Sequence, residues 1–159
     1  VLSEAFCRYN ASREKEGAHL REDLLIKKEN LQELTAQISV LSERNIASYR
    51  EKLESRLRQT LDGLDIQFDA NRILTECALF ADKIAVDEEL VRLASHFIAF
   101  DEAMNSSQPV GRRLDFLLQE MNREVNTVGS KSNDAEIAGL VVEAKCELEK
   151  IREQIQNLE

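Results

Sequence analysis

Tryptophan is absent from this sequence and the aromatic share is only 5%, which argues against a platform of stacked rings for reading bases. One proline and five glycines leave too few turn residues for an all-β sandwich, which needs a turn signal about every 8–12 residues. No apolar run approaches the roughly 18 residues of a membrane span. The N-terminal residues carry charges throughout with no signal-peptide core, so the chain reads as soluble and unexported. Cys7, Cys77 and Cys146 are far apart and odd in number, which excludes a disulfide framework or a zinc knuckle and predicts small buried hydrophobes. Nucleophile-elbow, phosphate-loop and HExxH motifs are missing too, so most common enzyme classes have no support.

What remains points to helices. The 159 residues are rich in Leu, Glu, Ala, Arg and Lys, with 43% apolar and 32% charged residues and a net charge of −9. That composition suits a folded chain, and a start at Val1 reads as a fragment. Leu20, Leu24, Leu31, Leu34, Ile38 and Leu41 keep a 4,3 spacing with only Lys27 out of place, which predicts a long helix with a narrow seam. Ile137, Val141, Ala144, Leu148, Ile151, Ile155 and Leu158 predict a second, packed antiparallel on the first. Between them, Tyr49, Leu53, Leu57 and Leu61 mark another helix that stops at Asp62 and Gly63. Asp69 is placed to cap a helix carrying Ile73, Cys77, Phe80 and Ile84, with Phe68 and Ile73 as a hydrophobic staple. Asp87, with Val86 and Val91, repeats that arrangement for a helix whose stripe is Leu90, Leu93, Phe97, Phe100 and Met104. After the break at Asn105–Gly111 comes a helix with Leu114, Leu118, Met121 and Val125 inward, closed near Gly129 in a left-handed conformation. Asn133 and Glu136 form a capping-box pair for the last helix. The expected fold is all-α, with long antiparallel coiled-coil-like helices and a helical bundle.

Charge is unevenly spread. Residues 70–105 and 132–159 each hold three bases against seven acids, whereas residues 106–131 hold Arg112, Arg113, Arg123 and Lys131 against three acids. A net-positive stretch between acidic ones suits phosphate, although arginines neutralising neighbouring carboxylates would look the same. Asp115, Gln119, Asn122 and Asn126 share one helix face. Amides are poor helix formers, so this stripe suggests hydrogen bonding to another chain or a ligand. Glu120 and Glu124, and likewise Glu143 and Glu147, are like-charged pairs one turn apart that could hold Mg²⁺ or Mn²⁺, or could be solvated faces. His96 shares a face with Glu89 and Arg92, a geometry usable for proton transfer or for a structural histidine. Glu16 and His19 make one Glu-x-x-His step; a carboxylate-bridged di-iron bundle needs two.

The stretch VGRRLDFLLQEMNREVNTVGSKSNDAEI, continuing into EAKCELEKIREQIQNLE, resembles the C-terminal signature of the YicC/YloC family of bacterial endoribonucleases. The likeness covers residues 70–159, including DEELVRLASHFIAF, and loosens over residues 1–69 to REKEG and LREDL. The resemblance implies a long helical arm or hairpin at 1–69, a C-terminal helical domain at 70–159, and an N-terminal α/β domain outside this chain. It also implies a hexamer, divalent-metal-dependent cleavage of single-stranded RNA, and a bacterial cytoplasmic setting. The family's pattern falls on Glu89, Arg92 and His96, then on Gly111, Arg112, Asp115, Gln119, Glu120, Asn122, Arg123, Glu124 and Asn126. It resumes at Gly129, Ser130, Lys131 and Asp134, then at Glu143, Lys145, Glu147, Glu149, Arg152 and Glu153.

Two functions follow as expectations. In the first, His96, Glu120 and Glu124 serve catalysis; Glu120, Glu124, Glu143 and Glu147 hold Mn²⁺ or Mg²⁺; and Arg112, Arg113, Arg123, Lys131, Gln119, Asn122 and Asn126 hold RNA. In the second, the chain is a non-catalytic helical scaffold that assembles subunits around an RNA-binding or catalytic N-terminal domain.

Overall fold

Between Leu41 and Tyr49 there is neither glycine nor proline, and nothing in that interval stops a helix. In a computed structural model, which describes residues 2–61, 70–106 and 108–156, the two helices expected at 20–41 and 49–61 are one. This helix, α1 (Leu2–Leu61), is about 90 Å long at ~1.5 Å per residue. The change in its apolar stripe near Leu41 marks a change of packing partner. Hydroxyls that compete for backbone groups bond to the preceding turn: Thr35 Oγ1 donates to the Gln32 carbonyl at 2.8 Å and Ser48 Oγ to that of Asn45 at 3.2 Å.

Four shorter helices follow: α2 (Ala70–Ile84), α3 (Asp87–Met104), α4 (Gly111–Lys131) and α5 (Ala135–Gln156), and no strand occurs among the described residues. α1 and α5 are the two longest, as the spacing predicts, and they are antiparallel. Arg44 meets Glu136 at 2.6 Å, while Asn30 and Glu33 share a groove with Glu147 and Lys150. α3 also runs against α1, with Lys28 held by Asp101 at 2.9 and 3.0 Å. α4 runs against α3, with Lys131 on Glu89 at one end and Arg113 on Glu102 at the other. α1, α3, α4 and α5 therefore alternate in direction around one core.

That core takes Leu24, Leu31 and Ile38 from α1, Leu93, Phe97 and Phe100 from α3, Leu114, Leu118, Met121 and Val125 from α4, and Ile137 to Ile155 at helical spacing from α5. Each fully buried Leu or Phe contributes about 1.5–3 kcal/mol. α2 lies beyond the end of α3 and packs on α1, where the Phe80 and Tyr49 rings stack 3.6 Å apart.

Several details differ from the sequence expectation. Asp87 does not cap α3; Val86 holds the cap position with no side-chain bond, and Asp87, Glu88 and Glu89 fill the first turn, where acids complement the helix dipole. Val91 is exposed and makes no staple with buried Val86. Gly129 lies within α4 instead of closing it. An added Cβ there would come within 3.0 Å of Val141 Cγ1, so the glycine permits close approach of α5. The cap of α5 is Asp134 rather than Asn133. Its Oδ1 accepts from the Glu136 and Ile137 amides at 2.8 and 3.1 Å, and the bond from Ile137 foremost, aided by Asn45 and Arg44, holds this carboxyl below its usual range against the effect of burial.

Cys146 and Cys7 are exposed and Cys77 is half-buried, contrary to expectation. Cys146 sits two residues from both Ala144 and Leu148, which turns it about 200° from the buried stripe. The Asp62–Gly63 stop, Phe68, the Asp69 cap and Leu158 lie outside the described residues.

Candidate nucleic-acid interface

The first links of the site are set by the α3–α4 seam. Glu89, only 2% exposed, receives Lys131 Nζ on both carboxylate oxygens at 2.9 and 3.0 Å and Arg92 at 3.2 Å. Burial by itself would raise the Glu89 carboxyl; the Lys131 ammonium, a backbone amide and Arg92 outweigh it and hold it below the usual range. Lys131 also donates to the Ala85 carbonyl at 3.0 Å, tying the end of α4 to the α2–α3 junction. On its other side Arg92 Nε donates to Glu124, itself 6% exposed, at 3.0 Å.

This network decides the fate of the expected residues. Lys131 is committed to Glu89, Arg113 to Glu102 at 3.2 Å, and Arg123 lies 3.3 Å from Glu120. Neutralisation of neighbours therefore accounts for much of the basic stretch. Arg112 and Arg123 nevertheless stay exposed on the outer face of α4, and so do Gln119 and Asn126. Arg112, Gln119, Arg123 and Asn126 are at helical spacing, so they form one continuous stripe. Gln119 donates to Asp115 at 2.8 Å and Asn126 to Asn122 at 3.2 Å. Asp115, Gln119 and Asn122 border a narrow groove against Leu148, Glu149 and Arg152 of α5.

The pairing of Arg92 with Glu124 and of Glu102 with Arg113 puts half-buried His96 level with Glu120 along the α3–α4 seam. The two candidate acid–base residues thus share one level, with Glu124 one turn away and engaged by Arg92.

The four carboxylates expected to hold metal do not come together. Glu120 and Glu124 face α3, whereas Glu143 and Glu147 line the α1–α5 groove with Asn30, Glu33 and Gln37, and Glu147 is bonded to Lys150 at 2.6 Å. Among the described residues no group of three or more His, Cys, Asp or Glu gathers as a metal site. Identical spacing on two helices gave no information about which side of the bundle each pair would face, and these residues do not fit a shared cation.

Two features escaped the sequence reading. A cavity of about 120 Å³ lies where α1, α2 and the α4–α5 connection meet, lined by Ser42, Asn45, Tyr49, Lys52, Phe80 and Asp134 among others; its residues are scattered along the chain and carry no motif. Phe116 is 60% exposed. Its position one turn after Arg112 and off the Leu114, Leu118 and Met121 stripe was the available signal.

Residues 38–159 match the family described as "Endoribonuclease YicC-like, C-terminal". The chain is similar to a probable endoribonuclease YicC of Clostridioides difficile (strain 630), 44% identical over 159 residues, which is all of this chain and 54% of that protein. It is also 44% identical over 104 residues to a probable endoribonuclease YicC of Haemophilus influenzae (strain ATCC 51907 / DSM 11121 / KW20 / Rd), covering 65% of this chain and 36% of that protein. The chain thus spans about half the length or less of these relatives. No described helix is long and apolar enough to cross a membrane. By the extent of these matches the chain belongs to the YicC-like endoribonuclease family and corresponds to its C-terminal region.

Proposed function

We propose that this chain holds single-stranded RNA along the outer face of α4 within an endoribonuclease that assembles as a homo-oligomer, a hexamer by family resemblance, and cleaves with Mn²⁺ or Mg²⁺. The observation that carries the reading is the exposed stripe of Arg112, Gln119, Arg123 and Asn126 on a chain of net charge −9. A polyanion is repelled by such a chain at long range, so contact needs a local cationic strip and screening cations. Two arginines can pair with phosphates, and the amides between them can bond sugars or base edges. His96 and Glu120, level on the adjacent seam, are the candidates for proton transfer. No metal ligand set is assigned within this chain.

The scaffold reading is favoured by a different observation, the engagement of Lys131, Arg113 and Glu124 in ion pairs between helices. The two readings separate in one experiment on the full-length protein with labelled single-stranded RNA. Replacing Arg112 and Arg123 together by Ala is expected to weaken binding across sequences and to flatten its salt dependence. His96→Ala and Glu120→Ala are expected to lower cleavage and leave binding largely intact. Unchanged binding in the double variant would favour the scaffold, and undiminished cleavage in EDTA would remove the cation from the proposal.

A further inference from the structure

Low aromatic content excludes a platform of several rings, but it does not exclude one ring in the right place. Phe116 stands 60% exposed on α4, four residues after Arg112 and three before Gln119. Its neighbours Leu114, Leu117 and Leu118 are buried, so the ring projects away from the core that the same turn fills. Arg112, Phe116, Gln119 and Arg123 fall at successive steps of four, three and four, which sets all of them within a narrow sector of the helix surface. Arg112 and Arg123 are separated by about 16 Å along the axis, with the ring and the amide between them.

We infer that Phe116 is a base-stacking residue: its ring takes the face of one unpaired base of single-stranded RNA while Arg112 and Arg123 hold phosphates on either side. This rests on the RNA-binding reading of α4 and adds to it the residue that would distinguish an unpaired strand from a duplex. Electrostatic contact alone accepts either, because both present phosphates. A ring can take a base only where the base is not already stacked within a helix, and stacking tolerates any base because each offers a π face. The amide of Gln119, one turn on, lies where it can bond the edge of the stacked base or its sugar.

The test is fluorescence anisotropy of the full-length protein with short labelled oligonucleotides: single-stranded oligo(U), the same strand carrying abasic sites, and a duplex of equal length. Phe116→Ala should lower affinity for the intact single strand roughly tenfold, with an unchanged salt slope, and should bind the abasic strand as the unsubstituted protein does. Phe116→Trp should restore affinity and show indole quenching when the strand binds. The exposed ring contributes little to the core, so circular dichroism and the thermal midpoint serve as folding controls.

Unchanged affinity in Phe116→Ala, alongside weakened binding in Arg112→Ala, would overturn the stacking inference and leave the RNA reading standing. Unchanged affinity in both would overturn the two together. Normal RNA affinity with a changed sedimentation coefficient in Phe116→Ala would identify the ring as a contact between subunits and refute its role as a base contact.

Discussion

Two glutamate pairs with the same one-turn spacing meet opposite fates in this molecule. Glu120 and Glu124 lie on the α3–α4 seam, where Glu124 is buried and bonded to Arg92, which also reaches Glu89. Glu143 and Glu147 border the open α1–α5 groove, where Glu143 is exposed and Glu147 bonds to Lys150 on its own helix. The spacing is a property of one helix; what the carboxylates do depends on the helix across the groove. α3 supplies Arg92 to Glu124 of the first pair, while Glu120 pairs with Arg123 on its own helix, and α1 supplies Asn30, Glu33 and Gln37 to the second.

The largest expected effect comes from breaking the buried side of this comparison. Lys131→Met leaves the 2%-exposed Glu89 with Arg92 as its remaining cation, and the stability loss is expected to be about 2–3 kcal/mol in urea titration. A loss below 0.5 kcal/mol would show that Lys131 is dispensable to the seam.

One carboxyl of this seam and one at the cap of α5 should govern acid stability. Both Glu89 and Asp134 have carboxyls held below their ordinary values in the folded chain. Their contribution is thus complete above the unfolded carboxylate range, near pH 4.5, and is lost as pH falls through their lower folded values. Urea midpoints are expected to be flat from these groups between pH 5 and 7 and to drop toward pH 3. The drop should be smaller in Glu89→Gln, while an equal drop would assign the effect to other carboxylates.

Smaller effects sharpen the contrast. Glu124→Gln should cost about 1 kcal/mol, since Arg92 is half exposed and water replaces part of the bond. Gly139→Ala, with nothing within 4 Å of the new Cβ, should stabilise α5 by roughly 0.5–1 kcal/mol, whereas Gly129→Ala should forfeit that gain against the buried Val141. Glu143→Gln should fall within about 0.5 kcal/mol of the unsubstituted protein. Thermal melts of the four variants side by side check the order.

Apolar spacing made the helices legible because a stripe at period 3.6 has few other solutions: every described residue the pattern names as inward on α4 and α5 is buried, and on α4 Leu117, Glu124 and Val128 join them. Local boundaries were less legible. The junction at Leu41–Tyr49 looks like an end because its stripe rotates, and only the position of α2 explains the rotation. Asn133 and Asp134 are both able caps, and packing of Ile137 selects the second. Site residues were legible as a face but not as an assembly. That Asp115, Gln119, Asn122 and Asn126 share a face of α4 follows from periodicity alone, whereas the pairing of Lys131 with Glu89 spans 42 residues and depends on how α3 and α4 register. Cys146 shows the limit most simply: an apolar residue type beside an inward stripe suggests burial, and the helix turns it outward.

The reach of α1 past the bundle has a further consequence. Residues 6–19 are all exposed, yet a free helix of about 12–15 residues is marginal in water. The segment avoids the cost of starting a helix because the packed turns around Leu20 and Leu24 have already set its first dihedrals, and only propagation remains. Its helicity is therefore borrowed and declines with distance from the lender. In the 159-residue chain taken by itself, amide exchange should quicken step by step from Leu20 toward Phe6, a gradient steepened at exposed Gly17, where the chain gains most entropy by unwinding.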